Sequence, residues 1–180
     1  MSSTRISTDS TDGIRSILKS QHLAALAMLR KAIEGCPEEL WLRQDQANAF
    51  WQLAYHTLFF AHLYLQPDSG SFRPWKHHQS NVQHEDGIAG RVDPNSRLPL
   101  IPDPYTRLQV LEYLQFCEDN VDTWIDAFDP LQPESGFDWY KVSKLEHQII
   151  NIRHIQHGAA QLAGRLRSEL GIGVAWISSR

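Results

Sequence analysis

The sequence predicts an all-α protein, a four-helix bundle with one long loop between its second and third helices. Three observations carry this. Four stretches place apolar residues at helical spacing, and each is bounded by residues that start or stop helices. No stretch shows the alternation of a half-buried strand with a partner to pair with. Between the second and third helical stretches, residues 67 to 105 hold six of the nine prolines and keep no period.

Residues 1 to 10 are small and polar and read as a disordered tail, leaving 11 to 180 as one domain. Thr11 or Asp12 caps the first helix, whose buried stripe is Ile14, Ile17, Leu18, Ala25, Leu29 and Ile33; Gly35 and Pro37 end it. Residues 37 to 46 form a short connector with Trp41 as its packing anchor. The second helix runs from about 47 to 66 and stops at Pro67. Aromatic and aliphatic residues cover most of its circumference, so it is buried on several faces. Two arrangements would bury it, a two-fold homodimer or the following loop folded back over it. Phe72, Trp75, Ile88, Leu98, Leu100 and Ile101 give that loop its anchors.

The third helix starts at Thr106, where Gln109 completes a capping box, and buries Leu108, Leu111, Leu114, Val121, Ile125 and Phe128. Pro130 and Pro133 break the chain before the fourth helix, residues 144 to 167. Ser143 and Glu146 form its capping box, and Leu145, Ile149, Ile152, Ile155, Leu162 and Leu166 its stripe. The closing GIGVAWISSR reads as an extended segment held on the helices by Val174, Trp176 and Ile177.

Net charge is −4, with 17 Lys and Arg scattered along the chain. This leaves no basic footprint for nucleic acid or an acidic membrane. The most apolar stretch, 49 to 65, is short and interrupted by Gln52, His56 and His62, so no membrane span is expected. With no apolar signal core near the N-terminus, a cytoplasmic protein is expected, and Cys36 and Cys117 read as reduced structural thiols.

The chemistry-bearing residues are histidines. His154 and His157 are one helical turn apart and can converge on one point; His147 lies two turns earlier, about 10 Å along the axis, too far to share an ion with them. His56 on the second helix is the partner from the facing element. Three protein ligands with a vacant position suit a catalytic metal, and Gln161, Asn151 and Tyr55 would orient ligands or substrate around it. No Ser-His-Asp set, phosphate loop or cysteine pair competes for that role.

The segments AFWQLAYHTLFFAHLYL, SKLEHQIINIRHIQHGAAQLAGRLR and GIGVAWISSR resemble the DinB-like superfamily, which includes the YfiT-type metal-dependent hydrolases and thiol-dependent transferases. The resemblance implies a four-helix bundle of up-down-down-up topology, often dimeric. It also implies a nickel or zinc ion held by one histidine of the second helix and two, spaced i, i+4, of the fourth. Carried onto this chain, the ligands fall on His56, His154 and position 158, with Gln161 matching the family's glutamine; position 158 is Gly158. His157, or a loop histidine among His77, His78 and His84, would then have to replace the third imidazole. Otherwise Gly158 opens a pocket against the second helix and the metal is lost. The expected metal set is therefore His56, His154 and His157. The expected function is a metal-dependent hydrolase or thiol-dependent transferase for a small molecule; the alternative is a non-catalytic small-ligand or partner-binding bundle. Restoring histidine at 158 is expected to create or strengthen a metal site.

Overall fold

The computed structural model describes residues 8 to 43, 48 to 80, 82, 83 and 103 to 180, without the side chains of residues 8 and 9. Among the described residues there are five helices and no strand: α1 (Thr8–Glu34), α2 (Glu38–Trp41), α3 (Phe50–Tyr64), α4 (Arg107–Asp126) and α5 (Lys144–Leu170). The four-helix expectation is corrected by α2, which lies in the stretch read as a connector.

This extra helix is one turn long, too short for any apolar period to mark it. The N–H groups of Leu40 and Trp41 both donate to Pro37 O, and Glu38 and Glu39 sit in the first turn, where the positive end of the helix dipole favours them. Trp41 is fully buried, and its indole Nε1 donates to Tyr105 O at 2.8 Å. That bond ties α2 to the chain entering α4.

Side-chain pairings give the direction of each long helix. Arg15 reaches Phe128 O, Lys19 reaches Asp126 and Arg30 reaches Glu118, so α1 and α4 are antiparallel. Gln148 binds Tyr64 O and Asn151 binds Ala61 O, which makes α3 and α5 antiparallel. Met28 meets Gln156, and Gly35 meets Leu166, so α1 and α5 run together. In sum α1 and α5 point one way and α3 and α4 the other, with the apolar core between them.

Every residue of α3 except His56 and Phe60 is buried. The cover comes from the same chain. Tyr105 stacks on Tyr55 at 4.5 Å, Phe72 sets its edge on Phe59 at 5.2 Å, and Phe137 and Tyr140 each approach Tyr64 at 5.5 Å. This removes the reason the sequence offered for a homodimer. Residues Ile88, Leu98, Leu100 and Ile101, named as further loop anchors, lie outside the described residues.

Caps form in different degrees. At α4 both halves of the Thr106–Gln109 box are made. At α5 Ser143 accepts from the Glu146 N–H, while at α3 Gln52 reaches back to the Ala49 N–H and alanine has nothing to return. Helix α1 begins at Thr8, so residues 8 to 10, assigned to the tail by the sequence, are helical.

Three apolar stripes are partly misplaced by the sequence. Ile17, Leu108 and Ile149 are exposed, and the first half of α5 turns Lys144, His147, Gln148 and Asn151 inward instead. The last ten residues form no helix; Val174 and Ile177 pack against the core while Trp176, expected to anchor the segment, is 71% exposed.

Candidate functional site

The antiparallel packing of α3 on α5 brings His56 and His154 together, with ring centroids 5.4 Å apart. Phe60, one turn after His56, lies 4.8 Å from the His56 ring and 5.9 Å from the His154 ring. His56 and Phe60 are the two residues of α3 left half-buried, so the pair sits at the edge of the core.

The two rings are held differently. His56 Nδ1 lies 2.7 Å from Gln83 O; a carbonyl only accepts, so Nδ1 carries the proton and Nε2 is the acceptor of the neutral ring. His154 has a buried Nε2 with no hydrogen-bond partner among the described residues. Its pKa is lowered to about 4, first by burial and then by His56 and His157, against a hydrogen bond from the ring to the Thr57 backbone that raises it, so the ring is neutral at pH 7.

The third expected ligand is elsewhere. His157 is exposed on the outer face of α5, in a shallow groove with Ile150, Arg153, His154, Gln156 and Ala160. Of the loop histidines, His78 Nδ1 is engaged by the Tyr55 hydroxyl at 2.7 Å, and His77 lies on the surface 4.0 Å from Glu112. His84 lies outside the described residues. Tyr55 is committed to His78 and Asn151 to Ala61 O, while Gln161 is exposed, so none of the three orients a ligand at His56.

Nor does Gly158 open a pocket. A β-carbon built there would lie 2.8 Å from Thr57 Cγ2 and closer still to Thr57 Oγ1, a hydroxyl held by its own bond to Leu53 O. The glycine lets α5 approach α3, and the threonine fills the contact. Among the described residues, no group of three or more His, Cys, Asp or Glu side chains is placed to hold a metal ion. Among the described residues this corrects the metal-binding expectation: His56 and His154 come together as a pair of imidazoles while His157 faces outward, and ligand count sets affinity.

A second polar cluster, which the sequence reading did not single out, occupies the start of α5. Lys144 is fully buried and donates to Gln66 O at 3.3 Å and Pro67 O at 2.6 Å, beneath the rings of Phe128 and Phe137. Burial lowers its pKa to about 8, with Asp68 pulling the other way. The ammonium thereby ties down the two carbonyls that follow the C-terminal end of α3, where positive charge is favoured. His147, one turn on, is enclosed by Phe137, Tyr64 and Tyr140 at 4.7, 5.0 and 5.1 Å. The signal for this cluster was the polar i, i+3, i+4, i+7 series of Lys144, His147, Gln148 and Asn151.

Comparison with protein-family models, with curated proteins and with solved structures gave no match. Among the described residues, no helix is long and apolar enough to cross a membrane.

Proposed function

We propose that the chain is a DinB-like helical domain that binds a small polar molecule at the His56–His154 face, without a catalytic metal. One observation carries this reading: the buried Nε2 of His154, unpartnered among the described residues, beside the His56 ring. A buried polar atom without a partner carries a desolvation cost of about 1–3 kcal/mol that a bound group relieves. Two further features support it. The resemblance pairs these two histidines although they are far apart in sequence, and they lie side by side. The adjoining groove adds Arg153 and His157, which suit a ligand with a carboxylate or phosphate head.

The test is ring-detected NMR of the histidines at pH 7.5 during titration with acetate, succinate, inorganic phosphate and glutathione. Selective shifts of the His56 and His154 signals by one of these, lost in His154→Phe, support the reading. Silence of both rings toward all four probes counts against it. Near-stoichiometric nickel or zinc in untagged protein, lost in His154→Ala, would overturn it in favour of a metal site.

A further inference from the structure

The face that holds His56 and His154 is selective in the kind of hydrogen bond it can make. His56 Nδ1 lies 2.7 Å from Gln83 O and so carries the proton, which leaves a lone pair on Nε2 of the neutral ring. The His154 ring donates to the Thr57 backbone, and its Nε2 has no hydrogen-bond partner among the described residues. The donor is therefore Nδ1, and a neutral imidazole protonated on one nitrogen is an acceptor at the other. Both rings thus present acceptors at Nε2, and neither has a second proton to offer a ligand.

The groove beside them makes the opposite demand. Arg153 lines it next to His154 and makes no hydrogen bond or ion pair among the described residues. Of the other polar side chains in the groove, Gln156 is turned to Met28 Sδ and His157 is exposed, and none of the described lining residues is a carboxylate. A guanidinium has donors and no acceptor, so what it pairs with is an anion.

We propose that the ligand of this face is a short acid that also bears an N–H or O–H donor, an amino or hydroxy acid, whose acid group meets Arg153 and whose donor meets His154 Nε2. This rests on the reading of the face as a ligand site and narrows it, because an ionised plain carboxylate has no proton to give the imidazoles. His154 Nε2 is out of the reach of solvent in this structure, so the donor arrives by turning aside a neighbouring ring. Phe60, half-buried and 4.8 and 5.9 Å from the two imidazoles, is the ring in place for that.

Two matched sets of acids test this by histidine-ring NMR at pH 7.5. Acetate, glycine and glycolate differ only in one hydrogen, ammonium or hydroxyl, as do propionate, β-alanine and 3-hydroxypropionate. A donor-bearing acid is expected to shift the His154 signals at a concentration about tenfold lower than its parent acid, the worth of one hydrogen bond, and the shift should vanish in His154→Phe. Amine against hydroxyl within each set identifies the donor. A long-range ¹⁵N spectrum of the wild type needs no variant: His154 should show a protonated Nδ1 and an unprotonated Nε2. Parent acids that bind as tightly as their donor-bearing partners, or a proton on His154 Nε2, would overturn this inference and leave the ligand-site reading standing. Silence of His154 toward all six acids would overturn it as well; the broader reading falls only if succinate, phosphate and glutathione are silent too.

Discussion

Gly158 of α5 lies so close to Thr57 of α3 that a β-carbon at position 158 would come within 3.0 Å of Thr57 Cβ and nearer still to its two branches. The contact is complementary: a residue without a side chain faces a branched one whose hydroxyl is turned back onto Leu53 O. Overpacking of this kind costs about 1–3 kcal/mol for a single methyl group. Gly158→Ala is therefore expected to lower the unfolding free energy by that amount and Gly158→His by more, read as lower urea midpoints, with no gain of nickel or zinc affinity. Thr57→Ala removes Oγ1 and Cγ2, so the Thr57→Ala/Gly158→Ala pair should be more stable than the sum of the single losses. Strict additivity would refute the contact.

Acid should unfold this protein through its buried histidines. The pKa values of His22, His62, His147 and His154 are all lowered to about 4, in each case chiefly by burial. In the unfolded chain they return to about 6.5. Because the folded values lie below the unfolded ones, their stabilisation is complete above pH 6.5 and is lost as pH falls from 6.5 to 4. A fully buried ring such as His22 contributes a slope of up to about 1.4 kcal/mol per pH unit in that window. Urea midpoints at pH 7.5, 6.0 and 5.0 should fall in step, and His62→Phe should flatten the fall by one proton. A midpoint independent of pH in that range would contradict the burial of these rings.

Lys144→Met keeps the length of the stem and removes the ammonium. Gln66 O and Pro67 O then lose their donor in the interior, at a cost of about 1–3 kcal/mol for a buried group left unpaired. The melting temperature should drop, and amide exchange at the C-terminal turn of α3 should speed up ahead of the rest of that helix. Uniform faster exchange along α3 would mean that the lysine acts through packing alone.

Gly136 has a φ of 85°, and a β-carbon there would be 3.0 Å from Asp68 Cα and closer still to the Pro67 carbonyl oxygen, which is the one Lys144 binds. Gly136→Ala meets both a left-handed backbone and a steric clash, so a loss above about 1 kcal/mol is expected. Equilibrium unfolding in urea measures it; a neutral substitution would show that the 135 to 140 turn relaxes freely.

How far the sequence could be read follows from where its signals are strong. The interior of α1 and the second half of α5 were legible because their apolar residues recur over several turns and do face the core, as at Leu18, Leu29, Leu162 and Leu166. The Thr106–Gln109 box was legible because it is local chemistry. Helix α2 was not, since one turn carries no period. The first half of α5 misled the periodicity argument because its interior is polar; Ile149 marked the outer face and Asn151 the inner one. For the site, helical spacing could not distinguish His157, which faces outward, from His154, and nothing local to Gly158 disclosed that Thr57, a hundred residues earlier, fills the space beside it.

The inward polar half of α5 has a consequence for alignment. Oily side chains tolerate a helix sliding along its neighbour by a turn, since one leucine replaces another. Amides bound to named carbonyls do not: moving α5 by one turn against α3 would strand Gln148 and Asn151 at once, while Lys144 lost its hold on the end of α3. These three residues act as an index mark, setting the register in which every other pair of side chains along the two helices has to meet.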